Sequence, residues 1–158
     1  MTELKVKEGD TAPALKLPNQ DGKTIELKQF KGKKNVVLYF YPKDLTPGCT
    51  TEACDFSAAQ GDFSNEDTVI LGVSGDTPST HQKFIAKHDL SFDLLSDEGF
   101  QVSDAYGVYQ EKNFYGKKSI GIVRTTFIID KKGKIQKIFP KVKVNGHSGA
   151  VLAALKEI

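Results

Sequence analysis

Apolar stretches and amphipathic segments alternate along this 158-residue chain, and their order predicts an α/β protein. Residues 35–41 (NVVLYFY) and 68–74 (TVILGVS) are almost continuously apolar and rich in β-forming residues, which is typical of strands buried on both faces. Between them we expect a helix over residues 49–63. Its apolar face consists of side chains that recur at helical spacing, namely Cys49, Ala53, Phe56 and Phe63.

The second half of the chain continues this alternation. A helix is predicted over residues 76–90, with Thr77 as N-cap and Pro78 in its first turn. The other predicted elements are a short strand (92–96), a short helix (98–107), a β-hairpin (124–139) and a C-terminal amphipathic helix (148–158). Near the N-terminus, the turn signal NQDG precedes the alternating segment KTIEL, which predicts a hairpin or an edge strand.

This order of elements predicts a mixed sheet with a parallel centre and an antiparallel edge, covered by helices. Crossovers between parallel strands are right-handed. The end of strand 35–41 and the start of the helix at Cys49 should therefore meet at the C-terminal edge of the sheet, where sites in such folds lie. No repeat or linker interrupts the sequence, so we expect one domain over residues 1–158.

Composition narrows the class of protein. The chain is 39% hydrophobic and 27% charged, with a formal net charge of +2, which argues against a nucleic-acid or anionic-membrane partner. The longest apolar run, residues 36–41, is far too short to span a bilayer. The charged N-terminus contains no apolar core segment, so we expect no secretory signal and a cytoplasmic location. In the cytoplasm, a cysteine pair is more often catalytic or metal-binding than a stable bridge.

Both cysteines lie in the segment YPKDLTPGCTTEACDF, residues 41–56. In the first helical turn, Cys49 would feel the positive end of the helix dipole and unpaired backbone N–H groups, which favour the nucleophilic thiolate. Pro42 and Pro47 restrict access, Gly48 leaves room for a small ligand, and the Thr46 hydroxyl can donate and accept hydrogen bonds. We interpret this as a pocket for a small polar oxidant. A merely packed Cys would explain neither the Pro and Gly crowding nor the second thiol.

The spacing between the cysteines is unusual. If Cys49 and Cys54 both lie in one helix, their Cα atoms are about 8.7 Å apart, and a disulfide tolerates at most about 7 Å. The two thiols can therefore bond only if the first turns of the helix unwind. This suits a cycle in which Cys49 is oxidised to a sulfenic acid and Cys54 then condenses with it, after which a separate reductant restores both thiols.

Other interpretations of the cysteine pair are weaker. A thioredoxin-like reductase requires C-x-x-C, and this chain has C-x4-C. A zinc site requires about four ligands, and the three histidines are too scattered to supply them. We interpret His81 and His88 as the edge of an amphipathic helix face, and His147 as a loop residue.

Arg124 is the only arginine among 22 basic residues, at the start of a predicted central strand. A planar guanidinium there would reach the Cys49 thiolate and keep it ionised, whereas the alternative is an ordinary surface charge. Glu52 follows Cys49 by three residues and would orient Arg124 through a bidentate contact. It would also compensate the helix dipole, and the two roles are compatible.

The segment YPKDLTPGCTTEAC resembles the active-site segment of peroxiredoxins, whose P-x-x-x-T-x-x-C core is matched here by Pro42, Thr46 and Cys49. The second cysteine five positions on is similar to the Q-type group, also called bacterioferritin comigratory protein. The resemblance covers nearly the whole chain, including EGDTAPALKLPNQDGKTIELKQFKGK, GVSGDTPSTHQKFIAKHDLSFDLLSD and GIVRTTFIIDKKGKI.

The resemblance implies a thioredoxin-like fold with an N-terminal hairpin extension, and reduction of hydrogen peroxide and organic hydroperoxides without a metal or bound cofactor. Cys49 matches the peroxidatic position and Cys54 the resolving one, which implies an intramolecular disulfide. The remaining matched positions concern the peroxide pocket: Thr46, Arg124 and the backbone N–H groups of Gly48 and Cys49 polarise the peroxide, Pro42 shields it, and Glu52 orients the arginine. The implied reductant is thioredoxin.

Two other functions stay open at this point. One is a thiol–disulfide oxidoreductase that reduces proteins, against which the missing C-x-x-C argues. The other is a non-catalytic thioredoxin-fold chaperone or redox-responsive binding module. No long exposed apolar strand indicates an obligate interface, so we expect a monomer.

Overall fold

The computed structural model describes residues 4–158 and is built around a five-stranded sheet in the order β5-β4-β3-β8-β9. These strands are β3 (Asn35–Phe40), β4 (Thr68–Ser74), β5 (Asp93–Ser96), β8 (Thr125–Ile129) and β9 (Ile135–Phe139). Strands β3, β4 and β5 are parallel to one another, and β8 and β9 continue the sheet in antiparallel pairing. The predicted mixed sheet is confirmed, with β3 at the boundary between its parallel and antiparallel halves.

Strand β3 is buried on both faces, as its continuous apolar sequence predicts. Val36, Leu38 and Phe40 pack into one core, with residues of the N-terminal segment and of β8. The intervening Val37 and Tyr39 pack into the opposite core, beneath the helices that include α1. This alternation places two hydrophobic cores against the two faces of one sheet.

The helices flank this sheet. They are α1 (Pro47–Ala58), α2 (Gln60–Ser64), α3 (Pro78–His88), α4 (Gln101–Tyr106) and α5 (His147–Leu155), with a short 3-10 helix at Leu27–Phe30. The predicted N-cap of α3 is confirmed, because the Thr77 hydroxyl accepts a hydrogen bond from Thr80 N–H at 3.2 Å. None of the helices between residues 4 and 158 combines the length and apolar character needed to cross a bilayer.

One predicted helix is divided in the structure. The helix expected over 49–63 begins earlier, at Pro47, and breaks at Ala59, whose φ and ψ of −92° and 4° are not helical. Gly61 lowers the helix propensity of the segment that follows the break. Phe63 nevertheless remains in the same core as Phe56, so the predicted apolar face is retained across the break.

Two small hairpins lie outside the main sheet. Strands β1 (Lys16–Pro18) and β2 (Thr24–Glu26) form the expected N-terminal hairpin. Strands β6 (Tyr109–Phe114) and β7 (Lys117–Ile122) form a second hairpin, which is not among the elements predicted from the sequence. Strand β7 is largely exposed, so its sequence lacks the apolar alternation that marks a half-buried strand.

Candidate active site

The two cysteines lie where the topology predicts, at the C-terminal end of β3. A loop of residues 41–46 connects β3 to α1, and α1 carries both Cys49 and Cys54. In the antiparallel neighbour β8, Thr125 pairs with Phe40, so the preceding residue, Arg124, lies beside the same strand end. The fold thus brings Arg124 to the start of α1 across 75 residues of sequence.

Cys49 occupies the first turn of α1, with Thr46 as N-cap and Pro47 as the first helical residue. The first helical hydrogen bond runs from Thr50 N–H to Thr46 O at 2.8 Å. Pro47 has no N–H, and the N–H groups of Gly48 and Cys49 precede this bond, so they belong to the helix end that can bind an anion. The Cys49 side chain is only 1% exposed.

One guanidinium joins two residues of α1. Arg124 donates from Nη2 to Cys49 Sγ at 3.3 Å and from Nη1 to Glu52 Oε1 at 2.6 Å. The expected bidentate contact between Arg124 and Glu52 is therefore wrong in detail, because the second N–H group is directed at the sulfur. Arg124 is also not the surface charge of the alternative interpretation, since its side chain is 16% exposed.

Gly48 leaves space for this arrangement. A Cβ atom at position 48 would lie 3.3 Å from Arg124 Nη2, which is closer than most Cβ contacts. The glycine therefore lets the guanidinium approach the backbone at the start of α1 closely.

The burial of Glu52 shapes the electrostatics of the site. Removal from water raises the pKa of Glu52 to about 7, even though the charge and hydrogen bond of Arg124 act in the opposite direction. Its second oxygen, Oε2, is buried and has no hydrogen-bond partner. Burial alone would lower the pKa of Arg124, but the negative charges of Glu52 and Cys49 outweigh it, so the pKa of Arg124 is raised.

Two other predicted site residues, Pro42 and Thr46, lie in the loop that leads from β3 to α1. Pro42 is exposed at the beginning of the loop, and Thr46 is half-buried. The Thr46 hydroxyl donates to Lys43 O at 2.8 Å. Its donor capacity is used within the loop, and its oxygen lone pairs remain as acceptors.

Cys54 lies on α1, one and a half turns beyond Cys49, and both cysteines are free thiols. Partial burial raises the pKa of the Cys54 thiol, and the neighbouring Asp55 adds to the effect. The helix is intact between the two residues. For an ideal helix this spacing corresponds to a Cα separation of about 8.7 Å, beyond the reach of a disulfide.

Several polar residues near the site are not identifiable from the sequence. His81 is fully buried and paired with Asp44 of the active-site loop, rather than at the edge of a solvated face. His147 is not a loop residue but begins α5, where burial chiefly, and the charge of Arg124 in addition, lower its pKa to about 4. Tyr39 shares a core with Cys49, and its buried hydroxyl has no hydrogen-bond partner. No spacing rule could have identified the two histidines, because their partners, Asp44 and Thr126, are distant in sequence.

Within residues 4–158, no group of three or more His, Cys, Asp or Glu side chains is arranged to hold a metal ion.

Comparison with known proteins places this site in a wider context. A family model described as the AhpC/TSA family matches residues 8–138. Peroxiredoxin Bcp of Bacillus subtilis is 46% identical over 155 residues, which cover 98% of both chains. The bacterioferritin comigratory protein of Xanthomonas campestris, studied for alkyl peroxide reduction, superposes with a TM-score of 0.88 at 41% identity over 98% of both chains. PrxQ of Xylella fastidiosa gives 0.90 at 35% identity over 96% of both chains.

Proposed function

We propose that Cys49 and Cys54 carry out the catalytic cycle of this chain, which belongs to the AhpC/TSA family. The chain is a peroxiredoxin of the Bcp or Q type and therefore a peroxidase. The proposed substrates are hydrogen peroxide and organic hydroperoxides. The observation that supports this best is the Arg124 guanidinium, which contacts the Cys49 sulfur and the buried Glu52 at the same time.

In the first step, the Cys49 thiolate attacks the nearer oxygen of the peroxide in line with the O–O bond. The S–O bond forms as the O–O bond breaks, so the sulfur is oxidised to a sulfenic acid and the peroxide is reduced. The departing oxygen takes up a proton and leaves as water or an alcohol. Arg124 and the N–H groups of Gly48 and Cys49 stabilise the negative charge that develops on the oxygens. Thr46 accepts a hydrogen bond from the peroxide O–H, because its own hydrogen is donated to Lys43.

In the second step, Cys54 attacks the sulfur of the Cys49 sulfenic acid, an S–S bond forms, and hydroxide leaves and is protonated to water. The first turns of α1 must unwind for the sulfurs to meet, because the intact helix keeps them apart. Unwinding also exposes Cys54 and removes the burial that raises its pKa, so the nucleophilic thiolate forms more readily in the open state.

A dithiol protein of the thioredoxin type is the proposed reductant of the Cys49–Cys54 disulfide, by thiol–disulfide exchange. Acidic and basic residues are mixed along the chain and the net charge is +2, so we propose that neither nucleic acid nor a membrane is a partner. We place it in the cytoplasm as a single-domain monomer and as part of antioxidant defence.

The proposal is tested by mixing reduced protein with hydrogen peroxide and analysing the quenched products by mass spectrometry. We expect Cys49→Ser to remove peroxide consumption almost completely. Cys54→Ser is the matched control, and it should keep fast oxidation of Cys49 but stop at the sulfenic acid, with no recycling by thioredoxin.

Full turnover by Cys49→Ser would refute the assignment. Reduction of protein disulfides by the wild-type chain in the absence of peroxide would instead support a thiol–disulfide oxidoreductase. An oxidised wild-type product without an internal disulfide would refute only the role proposed for Cys54, and not the peroxidase function.

A further inference from the structure

A second buried pair lies behind the active-site loop. His81, in the first turn of α3, has no exposed surface, and Asp44 of the loop is 3% exposed. His81 Nδ1 lies 2.6 Å from Asp44 Oδ2, and Nε2–H donates to Leu95 O on β5 at 3.0 Å. A carbonyl oxygen only accepts, so Nε2 carries a hydrogen, and the pair shares a further proton across the Nδ1–Oδ2 contact.

Two further hydrogen bonds hold Asp44, and one of them leads to Asp76, which is itself bonded to Ser74. Tyr41 donates its hydroxyl hydrogen to Asp44 Oδ1 at 2.5 Å, so both carboxylate oxygens are bonded. The backbone N–H of Asp44 donates to Asp76 Oδ2 at 2.8 Å, and Ser74 Oγ donates to the same oxygen at 2.7 Å. The loop is therefore attached to the ends of β4 and β5 and to α3, and none of these bonds involves α1.

The loop needs such an attachment. Leu45, directly after Asp44, has a φ of 66°, a left-handed conformation that is unfavourable for a leucine. Its side chain is 42% exposed, so packing of that side chain does not hold the conformation. Thr46 in turn donates to Lys43 O, the residue before Asp44, so the position of its hydroxyl depends on the backbone that Asp44 fixes.

We propose that Asp44 and His81 are positioning residues for the peroxide reaction. Their buried pair fixes residues 43–46 and thereby places the Thr46 hydroxyl beside the Cys49 sulfur. Because the pair is bonded to α3 and β5, it stays in place when α1 unwinds and provides the template on which the site reassembles. This inference rests on the proposed peroxidase cycle, since Thr46 acts on the peroxide and not on the sulfur.

The test compares two reactions of the same sulfur. Peroxide oxidation needs a correctly placed Thr46, whereas alkylation by iodoacetamide does not. In His81→Gln, the amide replaces Nε2 and can still donate to Leu95 O, but the bond to Asp44 is lost. We expect the rate constant for oxidation by hydrogen peroxide to fall about 10-fold to 100-fold, with alkylation within about threefold of wild type.

Two further variants complete the design. In His81→Asn, the amide nitrogen replaces Nδ1 and can donate to Asp44, so most of the peroxide rate should return. His88→Gln, a change on the same helix away from the pair, serves as the control and should react like wild type. Tyr41→Phe removes one bond to Asp44 while keeping the ring, and it should show a smaller loss that is again confined to peroxide.

Two results would overturn the proposal. One is a wild-type peroxide rate in folded His81→Gln, or in Tyr41→Phe if His81→Gln does not fold. The other is a parallel fall of both rates, which would place the effect on the sulfur or on the fold. Neither result affects the proposed function, which fails if the wild-type protein does not react with peroxide or if Cys49→Ser keeps full turnover.

Discussion

Two acid–base pairs, Asp44–His81 at the active-site loop and Glu52–Arg124 at α1, differ in how completely they are bonded. In the Asp44–His81 pair, both carboxylate oxygens and both ring nitrogens have partners. In the Glu52–Arg124 pair, Oε2 of Glu52 is buried without a partner. The first pair connects the loop to α3 and β5, and the second lies on the helix that we propose to unwind.

The difference bears on the proposed unwinding of α1, because the two pairs are not equally costly to break. A fully bonded buried pair is costly to break, because each partner would lose its bonds without regaining water. A buried carboxylate with an unused oxygen already lacks part of its solvation, so exposure to water relieves it. We therefore expect the loop to hold its position while the first turns of α1 open.

The largest effect on the peroxide reaction is expected from a change at Arg124, in the incompletely bonded pair. Arg124→Lys keeps the positive charge but cannot bond Glu52 and the sulfur at once, because lysine lacks the guanidinium fork. We expect the peroxide rate constant, measured by stopped-flow, to fall by about 10²-fold to 10³-fold. Lys112→Gln is the control, because it removes a nearby positive charge and leaves both Arg124 bonds in place. A wild-type peroxide rate in Arg124→Lys, with a loss in Lys112→Gln, would mean that charge alone matters.

The next effect concerns the pH dependence of stability at Glu52. Its pKa is raised from 4.5 to about 7 by burial, so the folded state favours the protonated acid. That stabilisation is complete below pH 4.5 and is lost as the pH rises through 7. In Glu52→Gln this loss disappears, so the unfolding free energy of the variant relative to wild type should rise by about 3 kcal/mol between pH 4.5 and 8.

Urea unfolding of the reduced proteins across this pH range measures the difference directly. Any pH-independent difference between the glutamine and glutamate side chains shifts the whole curve of Glu52→Gln, so the change with pH, and not the absolute value, carries the prediction. Glu98→Gln, at an exposed acid, is the control and should run parallel to wild type. If the curve of Glu52→Gln also ran parallel to that of wild type, the raised pKa of Glu52 would be contradicted.

The Glu52–Arg124 pair could be predicted from the sequence and the Asp44–His81 pair could not, for a physical reason. Glu52 and Cys49 are three residues apart on one helix, and Arg124 was conspicuous as a lone arginine, so local spacing and composition identified both. Asp44 and His81 are 37 residues apart and meet only because β3 and β4 are neighbours in the sheet. The β6–β7 hairpin was missed because its exposed strands lack the apolar alternation by which β-strands are predicted.

The smallest effect is expected from Gly48→Ala. This variant is also the most direct test of whether the first turn of α1 unwinds. Alanine raises helix stability by up to about 1 kcal/mol, so unwinding and disulfide formation should slow by up to about fivefold. Its Cβ would also displace Arg124 by a few tenths of an ångström, and peroxide oxidation should slow only slightly.

Rapid-quench mass spectrometry separates the two steps. Gly61→Ala is the control, since a Cβ there meets no atom within 4 Å and α2 lies outside the unwinding turns. Unchanged disulfide formation in Gly48→Ala would mean that unwinding of the first turn does not limit that step.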